Sequence, residues 1–468
     1  MRTRPPRRRL VPAALAAALL FPTALPAPAR AAPPPAARDR HVVVITIDGL
    51  PAAAFDEPRP PMPTLLRLAR EGARARRVTA VVPAITWPSH ATIVTGLPPA
   101  RHGLLVNGQL EREGPGRPLR IRQRPREALI GAPTVYDLAH AAGLTTALVN
   151  WVPNQDGGPV AWSFPERPDP AGATERALVA DGVFSPEDMT DFFRSTIVWR
   201  DEAWTRAAAH ILRRHKPNLL LLHLLATDAS GHRHGPSSIV AAPAAAALAD
   251  TRVRDVLEAL HDAGIAGRAT VIVLSDHGFR PLKRIVRPNA ILLKEGLLTA
   301  DAERRSATAC AAYAITEGGS AILYATAPEG REATIARLRA IFGAVEGVAR
   351  VIGPEGFAAA GYPEAGTQAQ MGDLVLAAKE DYGFWPDVGG EPESEAREGV
   401  TPVGHHGFPP EDPAMDAFLV AWGQGIRPGA AVDRIRLIDV APTLAALLGL
   451  RLEGAEGRVV SELLADAP

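Results

Sequence analysis

Three apolar runs shape this chain, and each of them ends at or beside an acid. HVVVITI leads into Asp48, NLLLLHLLAT into Asp228 and ATVIVLS into Asp276. The runs are continuous rather than alternating, which marks strands covered on both faces. Stretches with helical spacing separate them: MPTLLRLAREG, closed by Gly72, then TVYDLAHAAGL and VRDVLEALHDAG. TTALVNW and DAFLVAWG read as further strands, and RIRLIDVAPTLAALLGL as a helix-rich close. Strands alternating with helices predict an α/β fold, a mainly parallel sheet with helices on both faces. Hydrophobic residues at 47% supply the core for such a layered fold.

Residues 281–400 break the rhythm. GGSAILYAT, a helical PEGREATIARLRAIFGAV, then VARVIG and GDLVLAAKEDYGF predict a small β-α-β-β unit. It reads as an α+β insertion in one catalytic domain spanning 41–468. Residues 386–401 are acidic and glycine-rich and read as an exposed loop.

The first 32 residues carry six arginines and no acid, so residues 33–468 hold 45 basic against 51 acidic side chains. The order is basic (MRTRPPRRR), apolar (LVPAALAAALLFPTALPA), then small (ALPAPARAA), which is that of a secretory signal peptide over 1–32 followed by a linker over 33–40. Pro12, Pro22 and Pro26 interrupt the apolar part, against a spanning helix. The expected location is periplasmic or secreted, with no stable membrane span after cleavage. Cys310 is the only cysteine, so no intramolecular disulfide can form. The formal charge is zero, and no basic face for nucleic acid is announced.

In open parallel sheets, ligands bind beyond the carboxyl ends of the strands. Asp48, Asp228 and Asp276 should therefore converge on one rim, although each alone could be a turn or cap residue. Histidines accompany them: His232 in DASGH, His277 beside Asp276, and the pair His405–His406 in HHGF. Three Asp and three His from distant segments suit two divalent ions with mixed nitrogen and oxygen ligands, zinc first, with Mn, Fe or Co also compatible. His102, His210, His223 and His234 read as structural or surface groups, with His234 a possible support for a ligand. In PAITWPSHATIVTG, Pro88 suits a helix first turn, and Thr86 just before it stands where an anion is favoured. Thr86 is thus a candidate nucleophile; the alternative is that Thr86 or Ser89 only caps the helix.

Taken in order, ITIDG, ITWPSHATIVTGLPPARHGLLVN, TDASGHRHGP, VLSDHGF, HHGF and IDVAPTLAALLG resemble the nucleotide pyrophosphatase/phosphodiesterase family of the alkaline phosphatase superfamily, in particular its exported bacterial members. The resemblance covers nearly all of residues 41–468. It implies an alkaline-phosphatase-like three-layer fold and an exported metal-dependent phosphodiesterase or nucleotide pyrophosphatase. It implies a first ion held by Asp228, His232 and His406, and a second held by Asp48, Asp276 and His277. Thr86 would bridge toward the second as the nucleophile of a covalent intermediate. His406 is chosen over His405 because the family's ligand directly precedes glycine. Asn107, in RHGLLVN, matches the family residue that holds a phosphate oxygen. The implied substrates are small phosphodiesters or nucleotides.

Two positions depart from the family. Many nucleotide-cleaving members have Phe or Tyr followed by Pro-Asn, where this chain has Trp87-Pro88-Ser89. Trp87 could stack on a base or simply pack. No arginine follows Thr86, which argues against a phosphomonoesterase, and the C/S-x-P-x-R signature of sulfatases is missing. A phosphonate hydrolase or phosphomonoesterase on the same scaffold is the first rival; an exported phosphate- or metal-binding protein without turnover is the second.

Overall fold

Strand β1 (His41–Ile47) lies inside an eight-stranded sheet, and its residues divide between the two sides. Val43, Ile45 and Ile47 enter one apolar core, Val42 and Val44 the other. Burying each such side chain contributes about 1.5–3 kcal/mol, which is why the run is apolar on both faces rather than alternating. The computed structural model describes Met1 and residues 38–154, 157–301 and 306–465; the rest of the expected signal peptide and residues 33–37 of the linker lie outside them. The remaining main strands are β2 (Ala73–Thr79), β3 (Thr146–Val149), β4 (Trp162–Phe164), β5 (Leu219–Leu224), β6 (Ala269–Leu274), β7 (Ala417–Gly423) and β8 (Ala431–Arg436).

The sheet order is β8-β2-β7-β6-β1-β5-β3-β4. Only β7 runs against its neighbours β2 and β6; the other pairings are parallel. On one face pack α1 (Pro63–Glu71), α3 (Ile197–His215) and α5 (Ala241–Asp262); on the other pack α2 (Thr86–Thr95), the helix Val135–Ala141 and α6 (Val440–Leu447). The short helix α4 (Ala226–His234) follows β5 at the site edge of the sheet. This is the three-layer α/β arrangement expected from the alternating pattern.

Several stretches differ from the sequence reading. Ala73–Thr79 is a sheet strand although Arg74, Arg76 and Arg77 hide its pattern; Ala73, Ala75 and Val78 face the core. Trp162–Phe164 is a short edge strand. The closing segment begins as β8, and only its second half is helix α6. Within the acidic 386–401 stretch, Glu393–Glu395 is not loop but pairs antiparallel with Arg284–Val286. The Arg287 guanidinium, bonded to the Glu391 carbonyl and Ser394 Oγ, holds that stretch down.

Between β6 and β7 stands a second, four-stranded antiparallel sheet, ordered Ala312–Glu317, Ser320–Ala325, Leu374–Ala378, Val348–Ile352; its first strand, Ala312–Glu317, is one more than the β-α-β-β unit read from the sequence. The helix Arg331–Gly343 buries Leu338 and Phe342 in the adjoining core. Chain enters and leaves this region through a two-stranded pairing of Arg280–Pro281 with Gly404–His405. That pairing brings His405 and His406 back to the end of β6.

Candidate active site

Because β6, β1 and β5 are adjacent and parallel, the acids beyond their ends come together. Asp48 directly follows β1, Asp276 follows β6 after Ser275, and Asp228 lies in the first turn of α4. On α4, Asp228 and His232 are one turn apart, so they share a face. Gly49 has φ +65°, and a Cβ there would lie 2.9 Å from the Phe279 ring and 3.4 Å from Asp228 Cα. Glycine thus lets α4 close over the strand ends.

His232 Nε2 and His406 Nε2 approach the same oxygen, Asp228 Oδ1, at 3.3 and 3.5 Å. His277 Nε2 lies 3.4 Å from both Asp48 Oδ1 and Asp276 Oδ2. The ligand atoms of Asp48, Asp276 and His277 fall within 4.8 Å of one another, as do those of Asp228, His277 and His406. The His277 and His406 rings stack with centroids 3.9 Å apart, so the two sets abut. His405 joins a third group with His232 and His406.

These groups could hold a cation. In each of the three approaching histidines Nδ1 faces a backbone carbonyl: Gly404 for His232, Gly278 for His277 and Ala84 for His406. A neutral ring that donates from Nδ1 turns a lone pair outward at Nε2. The facing oxygens, Asp48 Oδ1, Asp228 Oδ1 and Asp276 Oδ2, are buried and have no hydrogen-bond partner. Lone pair meets lone pair, which is costly unless a positive charge lies between them. His405 is different: its Nδ1 accepts the His406 amide N–H at 3.0 Å, so its proton sits on Nε2 and it offers no lone pair there. This is a physical reason to prefer His406 as the ligand.

The electrostatics show the same strain. Burial, with Asp276 and Asp228 nearby, pushes Asp48 well above the usual carboxylate range. Asp228 is the exception: burial raises it, but the neighbouring His232 outweighs this and pulls the group down, while Asp228 raises His232 against that ring's own burial, so a proton can stand in this gap. His406 is held well below the usual histidine range by burial and by the His277 ring.

Thr86 is the first residue of α2, and its Oγ1 lies 3.5 Å from His277 Nε2. The cap position is Ile85, which makes no side-chain capping bond. The capping alternative for Thr86 therefore falls away, as it does for Ser89, whose buried Oγ has no partner. Asn107 Oδ1 accepts the Trp87 backbone N–H at 2.9 Å, which ties Asn107 to the start of α2. The Trp87 ring packs with Ala91, Leu104, Leu129, Ile130 and Val152, in keeping with the packing alternative for this residue.

Two further histidines stand beside the site, one of which, His90, sequence reasoning did not single out. His223, read as structural or surface, places Nε2 3.0 Å from Asp48 Oδ2. Its signal was visible, since it is the one polar residue inside the LLLLHL strand. His90 spans the Thr86 carbonyl at 2.8 Å and Thr46 Oγ1 at 2.9 Å, four residues along α2 from Thr86. Burial brings both rings down to about 3. His102 is buried against Thr92, His210 faces Asp181, and His234 pairs with Glu398 at the surface, away from any ligand role.

Comparison with known proteins adds three findings. The model of the family "Type I phosphodiesterase / nucleotide pyrophosphatase" matches residues 42–409. Among curated relatives, ectonucleotide pyrophosphatase/phosphodiesterase family member 3 of Rattus norvegicus is 23% identical over 238 residues, and venom phosphodiesterase CdcPDE of Crotalus durissus collilineatus is 23% identical over 248. These stretches are 51% and 52% of this chain but 24% and 26% of the relatives, so the chain matches about a quarter of their length. Among solved structures, human ectonucleotide pyrophosphatase / phosphodiesterase 5 superposes with TM-score 0.66 at 17% identity, covering 91% of this chain and 100% of that one. An inactive threonine-to-alanine variant of the murine protein in complex with AMP gives 0.67 at 18% over the same shares. At such identities the structural likeness speaks for the alkaline-phosphatase-like fold.

Proposed function

Because this chain belongs to the type I phosphodiesterase / nucleotide pyrophosphatase family, we propose that it hydrolyses phosphodiester or pyrophosphate bonds of small nucleotides or related esters through a covalent threonine intermediate. The observation that carries this reading is Thr86 Oγ1, 3.5 Å from His277 Nε2 and beside buried carboxylate oxygens with no partner. Asp228, His232 and His406 would hold one divalent ion, and Asp48, Asp276 and His277 a second, with zinc first and Mn, Fe or Co compatible with the same donors. Bound there, such ions would supply positive charge for the phosphoryl oxygens and for the Thr86 alkoxide.

The chain's own residues then do the following. Thr86 passes its proton to solvent, its Oγ bonds to phosphorus, and the bond from phosphorus to the leaving oxygen breaks, the leaving oxygen taking up a proton from water. Water cleaves the resulting Thr86 ester and restores the hydroxyl. The hydrogen bond that Asn107 Oδ1 accepts from Trp87 leaves Nδ2 as the donor for a phosphate oxygen. The start of α2 presents its positive end to the same group.

Asn107 and the lack of an arginine beside Thr86 favour diesters over monoesters. Asn107→Ala should lower turnover of an aryl phosphodiester by roughly 10- to 1,000-fold, the scale for losing one donor to developing charge. Steady-state kinetics with the aryl diester and the matching monoester test this. A wild-type enzyme that prefers the monoester would favour the phosphomonoesterase rival, turnover of neither ester would favour the binding protein, and a covalent adduct on Thr86 would exclude it.

Export is part of the proposal. The basic, apolar and small-residue order predicts cleavage within residues 28–32. N-terminal sequencing of protein recovered outside the cytoplasm should begin there, and a secreted chain still starting at Met1 would overturn it. Among the described residues, no helix is long and apolar enough to cross a membrane.

A further inference from the structure

His223 is buried beside the site, yet the proposed reaction gives it no part. It lies on β5, between Asp48 at the end of β1 and Asn150 just past the end of β3. Its ring meets both neighbours. Nε2 is 3.0 Å from Asp48 Oδ2 and Nδ1 is 3.2 Å from the Asn150 carbonyl. Asn150 is shaped for this contact: its φ is +51°, in the left-handed region that side chains seldom adopt. Its Nδ2 donates to the His223 carbonyl at 2.8 Å, and its own N–H donates to the Phe164 carbonyl at 2.8 Å. His223 is therefore gripped at both its ring and its backbone.

The two carboxylates of this half of the site are divided in the same way. Asp276 Oδ1 accepts the amides of Gly49 at 3.1 Å and His277 at 3.0 Å, and Oδ2 is left without a partner. Asp48 Oδ2 meets His223, and Oδ1 is left without a partner. In each acid one oxygen is anchored and the other faces His277 Nε2. Backbone amides do the anchoring for Asp276, and a side chain does it for Asp48.

We propose that His223 is a positioning residue for the Asp48/Asp276/His277 cation site, holding Asp48 Oδ2 so that Oδ1 is presented to the ion. The inference rests on the two-ion reading above. A neutral ring donates from one nitrogen only, and here both face oxygens; a hydrogen bond to a carboxylate is charge-assisted and stronger than one to a carbonyl, so the proton goes to Nε2 at the 3.0 Å contact with Asp48 Oδ2, and Nδ1 keeps only the longer 3.2 Å contact with the Asn150 carbonyl. The Nε2–H bond fixes the rotation of the Asp48 carboxylate, which a long, buried gap at Oδ1 does not. Partners of this kind typically contribute roughly 10- to 100-fold in metal affinity.

The test uses the purified full-length protein equilibrated with buffers of graded free zinc, with zinc per chain measured by mass spectrometry and melting followed in parallel. His223→Phe keeps a ring and removes both nitrogens; His223→Gln keeps an N–H donor. The phenylalanine variant should bind one zinc as wild type does and the other roughly 10- to 100-fold more weakly. The glutamine variant should recover part of that loss. Two zinc affinities unchanged in His223→Phe, with only a lower melting temperature, would mean that the ring merely fills space and would overturn the inference. If the phenylalanine variant does not fold, His223→Leu carries the same expectation and the same refuting result. A wild-type protein that binds fewer than two zinc ions would instead sink the two-ion reading, and this inference with it.

Discussion

Thr86→Ala is expected to abolish phosphodiester turnover, by roughly 10⁴-fold or more, the scale on which removal of a catalytic nucleophile acts, while leaving the fold and the cation sites in place. The asymmetry follows from where Thr86 stands. It is the first residue of α2, not its cap, and among the described residues its hydroxyl has one polar partner, His277 Nε2 at 3.5 Å. Loss of that hydroxyl leaves no strong bond broken, and loss of a buried methyl costs about 1 kcal/mol, or about 2–4 °C of melting temperature for a large domain. No carboxylate oxygen or imidazole of the two proposed cation sites is removed. Metal content by mass spectrometry, calorimetry and steady-state kinetics on the same preparation make the check. Thr86→Ser keeps the hydroxyl and should keep part of the activity. An alanine variant that still turned over the diester would mean that water attacks phosphorus directly, and the covalent route would have to be abandoned.

Asp276→Ala should lower metal content and turnover together, and it should also destabilise the chain. Asp276 Oδ2 is one of the partnerless oxygens facing His277, so the Asp48/Asp276/His277 set loses a third of its ligands. Its Oδ1 accepts two backbone amides, and their loss leaves two buried N–H groups at about 1–3 kcal/mol each. The affinity for that ion should fall by more than the roughly 10- to 100-fold typical of an outer partner. His232→Ala acts on the other ion with a smaller structural cost, since its Nδ1 serves only the Gly404 carbonyl. If both variants retained two ions per chain and normal turnover, the proposed site would be misplaced. Loss of stability without loss of metal in Asp276→Ala would reduce Asp276 to a purely structural acid.

Much of this was legible before any coordinates. A run such as HVVVITI, apolar at five successive or near-successive positions, reads as a strand with both faces covered, because alternate side chains must each find a core. Three such runs with helices between them determine a parallel layered sheet, and parallel strands end on the same side. Convergence of Asp48, Asp228 and Asp276 follows from that without further information. The arginine-rich β2 was not legible, because Ala73 and Ala75 are too small to stand out as an apolar pattern beside Arg74, Arg76 and Arg77. It becomes a strand because β7 and β8 bond to it on both sides.

Tertiary structure alone decided the finer chemistry. The sequence offers His405 and His406 side by side; which can turn a lone pair toward Asp228 depends on where each Nδ1 finds its partner, the Ala84 carbonyl in one case and a backbone amide in the other. The reading of Thr86 as a cap ended only when Ile85 proved to occupy the cap position. His223 looked like one polar residue in an apolar strand, and its place against Asp48 came from the parallel register of β1 and β5. Periodicity and residue type are local, so the chain by itself determined its layers and the rim where its acids gather. Hydrogen-bond direction depends on atoms brought together from far apart in sequence, and that only the folded structure could decide.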